Sequence, residues 1–260
     1  MTDLDDLARA FAQLASAAGR VVMDVYATDF EVRRKDDWSP VSDADERAEA
    51  LLVPGVHDLL PGVPVVAEES VSADGLPELA HEFVLIDPLD GTREFVNRRG
   101  DFTVNVALVR DGAPVAGVVY APAKDRMFVG GTTAAAGSVA PGAQVGELAP
   151  IRTREYPAEG LTAVASRSHL DVETREFLED VKPVHTRTAG SSLKFCLVAA
   201  AEADVYPRFG PTMEWDTAAG HAVLRASGGT VVTPEGTPFG YGKPGLRNGA
   251  FVAWGQQPLV

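Results

Sequence analysis

The chain has few of the residues that support disulfides, metal–thiolate sites or a membrane anchor. Its one cysteine, Cys196, excludes an intrachain disulfide and a zinc site built from several cysteines. No run of 18 or more apolar residues occurs, so the sequence predicts no transmembrane segment. Residues 1–6 are acidic where a secretory signal would be basic, and we therefore expect a cytoplasmic protein.

Positive charge is also scarce. The 260 residues include 23 Lys and Arg against 37 Asp and Glu, which gives a formal net charge of −14. Binding to a nucleic-acid polymer usually needs a basic surface, so we expect no nucleic-acid partner. A phosphate ligand would need cations to offset this charge, either metal ions or a local group of Lys and Arg side chains.

Hydrophobic spacing predicts a helix over residues 3–28 and a second over residues 43–60, with Ser42 and Asp45 as a capping box. Strands are predicted at 63–67, 83–86, 103–109, 114–120 and 126–129, with a hairpin turn at 110–112. Residues 130–150 show no strong period and are predicted as a surface excursion. After residue 160, strands and helices alternate.

These patterns predict an α+β fold. The N-terminal half would hold an antiparallel sheet with two long helices, and the C-terminal half would be α/β. The predicted divisions are a first half at 1–135, a connecting excursion at 136–158 and a second half at 159–260. The length of the chain fits one large domain or two small ones that share a core.

The segment Asp87-Pro88-Leu89-Asp90-Gly91-Thr92 carries the strongest chemical signal, since it directly follows the predicted buried strand 83–86. Paired carboxylates bind hard divalent cations through oxygen. Free N–H groups at a glycine-containing turn bind phosphate. The segment therefore predicts a metal-dependent phosphate site, because a generic turn would explain Asp90-Gly91 but not a second acid at the end of an apolar strand.

Further acids lie where an element meets a loop, and each has a simpler explanation when taken alone. Asp45 can be the capping partner of Ser42. Glu68 and Glu69 can end a solvated strand. Asp216 can stabilise the dipole of a helix at its start. Their combination with the segment 87–92 is what favours a shared site.

In that combination the chain resembles the inositol monophosphatase superfamily of magnesium-dependent, lithium-sensitive phosphatases. The matching motifs, in order, are Lys35-Asp36-Asp37-Trp38-Ser39-Pro40-Val41-Ser42-Asp43-Ala44-Asp45, Glu68-Glu69, Asp87-Pro88-Leu89-Asp90-Gly91-Thr92 and Trp215-Asp216-Thr217-Ala218-Ala219-Gly220. The resemblance covers nearly the whole chain and implies a layered αβαβα sugar-phosphatase-like fold. Residues 93–95, 100–105, 166–169, 190–194, 206–208 and 214–221 are most similar to bacterial 3′(2′),5′-bisphosphate nucleotidases.

The resemblance implies two to three Mg²⁺ ions. Glu68, Asp87 and the main-chain carbonyl of Leu89 would hold the first ion. Asp87, Asp90 and Asp216 would hold the second, with Asp87 bridging the two. A third, weaker ion would attach near Glu68 through waters.

The resemblance also implies catalytic and substrate-binding roles. Asp45, Glu69 and Thr92 would be catalytic, with Thr92 and Asp45 as a hydrogen-bonded pair that orients water. Taken alone, Ser166-Arg167-Ser168 could be an ordinary polar loop, Lys194 a solvated helix residue and Arg208 a surface salt-bridge partner. The residues expected to contact substrate are Leu89, Asp90, Gly91, Thr92, Ser166, Ser168, His169, Gly190, Lys194, Arg208 and Asp216.

The expected activity is hydrolysis of 3′-phosphoadenosine 5′-phosphate to AMP and phosphate. Alternatives with the same metal site are phosphatases of inositol monophosphate, fructose 1,6-bisphosphate or histidinol phosphate, and a non-catalytic sensor of a phosphate ligand. A haloacid-dehalogenase-type phosphatase is rejected, because its Asp-x-Asp-Gly-Thr signature lies near the N-terminus and has a different spacing. The superfamily often forms dimers, so a homodimer is one expectation.

Overall fold

The computed structural model describes residues 3–28, 32–34, 40–166 and 171–256. The α-helices are α1 (Leu4–Tyr26), α2 (Asp43–Leu59), α3 (Glu68–Asp74), α4 (Thr92–Val96), α5 (Val172–Val181), α6 (Leu193–Ala199) and α7 (Trp215–Ala226). The strands are β1 (Val32–Arg34), β2 (Pro40–Ser42), β3 (Val65–Ala67), β4 (Glu82–Asp90), β5 (Thr103–Arg110), β6 (Ala113–Ala121), β7 (Arg126–Gly130), β8 (Ala134–Ser138), β9 (Ala149–Pro150), β10 (Thr162–Ser166), β11 (His185–Ala189), β12 (Val205–Arg208), β13 (Thr212–Met213), β14 (Thr230–Val232), β15 (Arg247–Asn248) and β16 (Phe251–Trp254).

The large sheet has seven strands in the order β3-β4-β5-β6-β7-β8-β9. β3 is parallel to β4, and the other neighbouring pairs are antiparallel. Asp111 and Gly112 both have positive φ and join β5 to β6, which confirms the predicted hairpin. The central strands are almost continuously buried because both faces of the sheet are covered.

Helices α1 and α2 cover one face of the large sheet. Phe11 of α1 and Leu52 of α2 pack in one core with Val84 and Ile86 of β4. Full burial of such a side chain stabilises the fold by about 1.5–3 kcal/mol. Successive strand residues point to opposite faces, so Leu85 lies on the other face, in the core that contains α6 and α7.

A second sheet has five strands in the order β11-β10-β12-β16-β14. Helices α6 and α7 lie between the two sheets, because one core joins Leu85 of β4, Phe195 of α6 and Phe251 of β16. The rings of Phe195 and Phe251 stack with centroids 5.4 Å apart. On the far side, Phe177 of α5 packs against the apolar cluster that includes Val205. The predicted layered αβαβα fold is therefore confirmed.

Several elements differ from the prediction. Residues 130–150, predicted as an irregular surface excursion, contribute β8 and β9 to the large sheet. The Ala- and Gly-rich sequence of β8 lacks the alternation that identifies a strand. Helix α3 and strands β13, β15 and β16 were not predicted. The division at 1–135, 136–158 and 159–260 stays a prediction, while the large sheet extends to Pro150 and the second sheet begins at Thr162.

In the described ranges, none of the helices has both the length and the apolar character that crossing a membrane would require.

Candidate active site

A pocket of about 330 Å³ lies at the end of β4, next to the first residues of α4, α6 and α7. It collects side chains that are far apart in the sequence. Its size is ordinary for a site that binds a small molecule. The predicted site residues that line it are Glu68, Asp87, Leu89, Asp90, Gly91, Thr92, Ser166, Gly190, Lys194, Arg208 and Asp216.

An irregularity at the end of β4 brings its acids to the pocket. Asp87 pairs with Asn105 of β5 and Asp90 pairs with Thr103, so the register shifts between the two acids. The extra residue forms a bulge, which changes the direction of the side chains that follow it. The N–H of Leu89 donates to Oδ1 of Asp87 at 3.1 Å and closes a local turn.

Gly91 follows in a conformation that favours glycine. Its φ of 89° and ψ of 41° lie in the left-handed region. A Cβ at this position would approach the carbonyl oxygen of Asp101 to 3.1 Å. Helix α4 begins at the next residue, Thr92, whose hydroxyl donates to the carbonyl of Leu89 at 3.3 Å. The predicted pairing of Thr92 with Asp45 stays a prediction.

Asp90 and Asp216 belong to different elements that meet at Ser192. The N–H of Ser192 donates to Oδ2 of Asp90 at 2.6 Å, and its hydroxyl donates to the main-chain carbonyl of Asp216 at 2.5 Å. The side-chain amide of Asn105 donates to the Ser192 hydroxyl at 3.1 Å. The Asp216 carboxylate accepts the N–H of Met213 at 2.8 Å. Ser192 and Asn105 were not predicted as site residues, although both lie within the resembling motifs.

The acids perturb one another strongly. Burial raises the pKa of Asp87 well above its usual range, and it is raised further by the charges of Asp90, Glu68, Asp216 and Asp45. Burial likewise raises the pKa of Asp216, with added repulsion from Asp90 and Glu68. Like charges that share a buried site oppose ionisation. A nearby cation would relieve this repulsion.

The donor set of this cluster consists of oxygen atoms. Within the described ranges, no three Asp, Glu, His or Cys side chains close around one point as a complete metal cage. One oxygen of Asp90 and one of Asp216 accept main-chain N–H groups. Mg²⁺ needs only one or two carboxylates and keeps several waters. The chemistry and mutual repulsion of these acids therefore fit a partly hydrated divalent cation.

Helix α3, which carries Glu68 and Glu69, is held by a buried acid that was not predicted. Glu49 of α2 accepts the N–H groups of Glu69 and Ser70, each at 2.8 Å, and the hydroxyl of Ser70 at 2.5 Å. Its side chain is only 5% exposed. Glu49 follows Asp45 by four residues on one helix face, and this spacing is the sequence signal that could have identified it.

Two of the predicted catalytic residues do not line the pocket. Asp45 is 2% exposed on α2, and its charge contributes to the raised pKa of Asp87. Glu69 follows Glu68 at the start of α3 but is not part of the pocket wall. The catalytic roles of Asp45 and Glu69 stay predictions.

Two basic residues line the same pocket as the acids. The ammonium group of Lys194 lies 5.2 Å from the ring centroid of Tyr206 and donates to the carbonyl of Ser191. Burial lowers the pKa of Lys194 to about 8, although the charge of Asp90 opposes this shift. Arg208 donates to two main-chain carbonyls of the following turn, both at 3.3 Å. Lys194 is therefore a buried residue of the pocket and not a solvated helix residue.

Two of the other predicted substrate contacts line the pocket, and two lie outside the described residues. Ser166 ends β10 and lines the pocket. A Cβ on Gly190 would approach the carbonyl of Asp101 to 2.5 Å, so the close packing there requires glycine. Ser168 and His169 lie outside the described residues, as do residues 35–39 of the upstream motif.

Some residues of the pocket wall were not predicted. Phe195 both packs in the core and reaches the pocket. Tyr206 lies inside a resembling motif, which was the available signal, whereas Thr212 lies in a strand that was not predicted. The unpredicted residues that line the pocket are Arg93, Glu94, Ser191, Phe195, Tyr206, Pro211, Thr212 and Thr217.

Comparison with known sequences relates the chain to a family of proteins. The sequence pattern of the inositol monophosphatase family matches residues 3–258. The chain is 44% identical over 231 residues to the 3′(2′),5′-bisphosphate nucleotidase CysQ of Escherichia coli (strain K12), and the match covers 88% of this chain and 91% of that protein.

Solved structures show the same fold. CysQ from Bacteroides thetaiotaomicron, described as a bacterial member of the inositol monophosphatase family, has a TM-score of 0.82 and 34% identity, with 98% of both chains covered. An inositol monophosphatase from Anabaena (Nostoc) sp. PCC 7120 has a TM-score of 0.76 and 25% identity, covering 98% of this chain and 92% of that one. The chain therefore belongs to the inositol monophosphatase family.

Proposed function

We propose that this chain is a metal-dependent phosphomonoesterase that hydrolyses 3′-phosphoadenosine 5′-phosphate to AMP and phosphate. The observation that carries the proposal is one pocket lined by the acids Asp87, Asp90 and Asp216 and by the basic residues Lys194 and Arg208. Acids suit a divalent cation, and the basic residues suit an anionic substrate. The relatives named CysQ are nucleotidases of this type by name.

The residues that would hold divalent cations are Glu68, Asp87, the main-chain carbonyl of Leu89, Asp90 and Asp216. Their oxygen donors favour Mg²⁺, and two to three ions are proposed. When bound, such ions neutralise phosphate charge and lower the pKa of water. Buried acids that repel one another are a costly arrangement for the fold alone, which supports a role in holding cations.

The protein itself would position the phosphate and accept a proton. Gly91 and Thr92 lie at the start of α4, where main-chain N–H groups have no partner within the helix. These N–H groups would donate to the phosphate oxygens. As water attacks the phosphorus, the Thr92 hydroxyl, which donates to the Leu89 carbonyl in this structure, would turn to take a proton from that water and pass its own to the Asp45 carboxylate, and Glu69 would assist from the start of α3. The P–O bond to the ribose breaks, and the ribose oxygen takes up a proton from solvent. No covalent link between protein and phosphate is required.

The basic residues of the pocket would bind the second phosphate of the substrate. A bisphosphate nucleotide carries one more phosphate than inositol 1-phosphate, and Lys194 and Arg208 offer the charge to bind it. Ser166 and Gly190 lie on the same wall. Ser168 and His169, outside the described residues, are proposed as further contacts because of their place in the motif.

The second candidate is hydrolysis of inositol 1-phosphate, which the family and the fold also support. Initial rates of phosphate release from the two esters, measured side by side with Mg²⁺, separate the candidates. We expect a clear preference for 3′-phosphoadenosine 5′-phosphate. A preference for the inositol ester would move the substrate to the second candidate. No Mg²⁺-dependent phosphate release from either ester would indicate a non-catalytic phosphate sensor.

The substitution Asp90→Asn tests the acid cluster. The Asn oxygen can still accept the N–H of Ser192, so the fold should survive, whereas the charge that would hold the cation is lost. We expect turnover to fall by about a hundredfold or more, as when cation-binding groups are disrupted. Phosphate release at saturating Mg²⁺ and a urea unfolding curve measure the two effects. Near-normal turnover with saturating Mg²⁺ would contradict the assignment of Asp90.

A cytoplasmic location and a homodimer are further parts of the proposal, and both rest on the sequence and the family resemblance alone.

A further inference from the structure

We infer that Ser192 is a positioning residue that holds the Asp90 end of β4 and the Asp216 end of α7 in a fixed relation. The inference rests on the proposed function, because it concerns the acids that would hold the cation. Ser192 itself is not expected to touch cation or substrate, since it is not among the residues that line the pocket.

The contacts of Ser192 reach three other elements. It is 2% exposed and directly precedes α6. Its N–H donates to the Asp90 carboxylate at 2.6 Å, and its hydroxyl donates to the main-chain carbonyl of Asp216 at 2.5 Å. The Asn105 amide of β5 donates to the same hydroxyl at 3.1 Å. One residue therefore connects β4, β5 and α7.

The hydroxyl has little freedom in this arrangement. A serine hydroxyl has one proton to donate, and here that proton is directed to Asp216. Its lone pair accepts from Asn105, which fixes the orientation of the hydroxyl. Asn105 is 1% exposed, so water does not readily replace these bonds. The Ser192 hydroxyl therefore adds a hydrogen-bonded link at the start of α7 to the packing of that helix against β5 and β6.

This tie matters because the two acids repel each other. Asp90 and Asp216 line the same pocket, and carboxylates of like charge at close range repel each other, so without a fixed spacing they would tend to move apart. Mg²⁺ demands nearly ideal octahedral geometry with short bonds to oxygen, so a small displacement of one acid weakens binding. Residues that orient the ligands of a metal typically change its affinity by about 10–100-fold when they are replaced.

The substitution Ser192→Ala isolates the hydroxyl. The main-chain N–H of residue 192 remains and can still donate to Asp90, so only the link to Asp216 and Asn105 is removed. We expect the affinity for Mn²⁺, used as a spectroscopic substitute for Mg²⁺, to fall by about tenfold. We expect the Mg²⁺ concentration for half-maximal phosphate release to rise by a similar factor, with a smaller change in the KM for substrate.

Ser227 provides a matched control on the other end of α7. It is also buried, and its hydroxyl donates to the main-chain carbonyl of Leu224 at 2.7 Å. Ser227→Ala removes the same kind of bond from the same helix, so it should cost similar stability. Because it lies far from the acids along α7, its Mn²⁺ affinity should equal that of the wild type.

Asn105→Leu keeps the inference testable if Ser192→Ala folds poorly. The Oδ1 atom of Asn105 is buried and has no hydrogen-bond partner among the described residues, so an apolar side chain of similar size breaks no bond to that oxygen. The substitution removes the side-chain amide, which donates to the Ser192 hydroxyl at 3.1 Å and, at the longer distance of 3.5 Å, to Oδ2 of Asp90. We expect it to weaken Mn²⁺ binding in the same direction as Ser192→Ala, by a smaller factor.

Electron paramagnetic resonance of free Mn²⁺, titrated with the full chain and no substrate, measures the affinities. Weaker binding by Ser192→Ala and Asn105→Leu, with wild-type binding by Ser227→Ala, supports the inference. Wild-type Mn²⁺ affinity in Ser192→Ala overturns it and leaves the proposed function intact. Equal loss in Ser192→Ala and Ser227→Ala also overturns it, because the effect would then be general destabilisation. Absence of Mn²⁺ binding by the wild type contradicts the proposed function and the inference together.

Discussion

Single acidic residues around the end of β4 destabilise the fold, and interactions elsewhere in the protein must offset this. Asp87 of β4 is buried and Asp216 of α7 is half-buried, and loss of contact with water together with neighbouring charges raises the pKa of both carboxyl groups. Buried like charges oppose folding, since neither burial nor repulsion is favourable. The proximity of these acids therefore belongs to the chemistry of the site and not to the stability of the scaffold.

Lys194 gives a pH-dependent prediction. Burial lowers its pKa to about 8, so its ammonium group is charged below that pH and neutral above it. We expect the KM for 3′-phosphoadenosine 5′-phosphate to rise between about pH 7 and about pH 9, because the charge that binds phosphate is lost. Lys194→Arg keeps its charge over this range, so its KM should stay flat. Initial rates across this range measure both profiles, and parallel profiles would contradict a role for the Lys194 charge.

At the scale of single residues, the side chains that would bind a cation directly could be predicted from the sequence. The residues that hold those side chains or their helices in place could not. Asp87, Asp90 and Asp216 form recognisable motifs because a cation requires carboxylates. Ser192 and Glu49 act by bonding to main-chain groups of distant segments. Many polar residues have that capacity, so type and spacing alone do not identify the ones that use it.

At the scale of elements, short helix α3 depends on its neighbour. It has 7 residues, too few to be stable alone, and it carries Glu68 and Glu69 at its first positions. The carboxylate of Glu49 accepts main-chain N–H groups in its first turn. An acid at a helix start also interacts favourably with the helix dipole. Helix α2 thus sets the place where α3 begins.

Substitutions of Glu49 test this dependence. Glu49→Ala removes a buried charged acceptor and should lower the free energy of unfolding by about 1–3 kcal/mol. Because α3 carries Glu68, turnover should fall as well. Glu49→Gln keeps one acceptor oxygen, so both properties should lie between those of the wild type and Glu49→Ala. Urea unfolding and phosphate release measure the series, and wild-type turnover in Glu49→Ala would contradict a link between this helix start and the site.

The elements that the sequence predicts are those with a clear hydrophobic period. Helices α1 and α2 and strands β4 to β6 bury long apolar faces, and their patterns identify them. Strand β8 consists of small residues, and β13 and β15 have two residues each. Such segments become strands because a neighbouring strand pairs with them. The local sequence pattern does not predict that pairing.

At the scale of the whole molecule, the net negative charge disfavours an anionic substrate, whereas the fold brings a basic residue to the pocket. The net charge of −14 repels an anionic substrate over the surface. The layered fold compensates locally, since α6 and α7 lie between the sheets and bring Lys194 and Asp216 to the end of β4. The order of layers followed from the family resemblance, whereas the side-by-side placement of acids and bases in one pocket required the structure.

Phosphorus-31 nuclear magnetic resonance of 3′-phosphoadenosine 5′-phosphate, incubated with the protein and Mg²⁺, tests the central claim most directly because the two phosphates give separate signals. The account predicts that the 3′ signal declines while inorganic phosphate appears, and that the 5′ signal persists as that of AMP. Chelation of the Mg²⁺ should stop the change. Two unchanged signals in the presence of Mg²⁺, or earlier loss of the 5′ signal, would contradict the account.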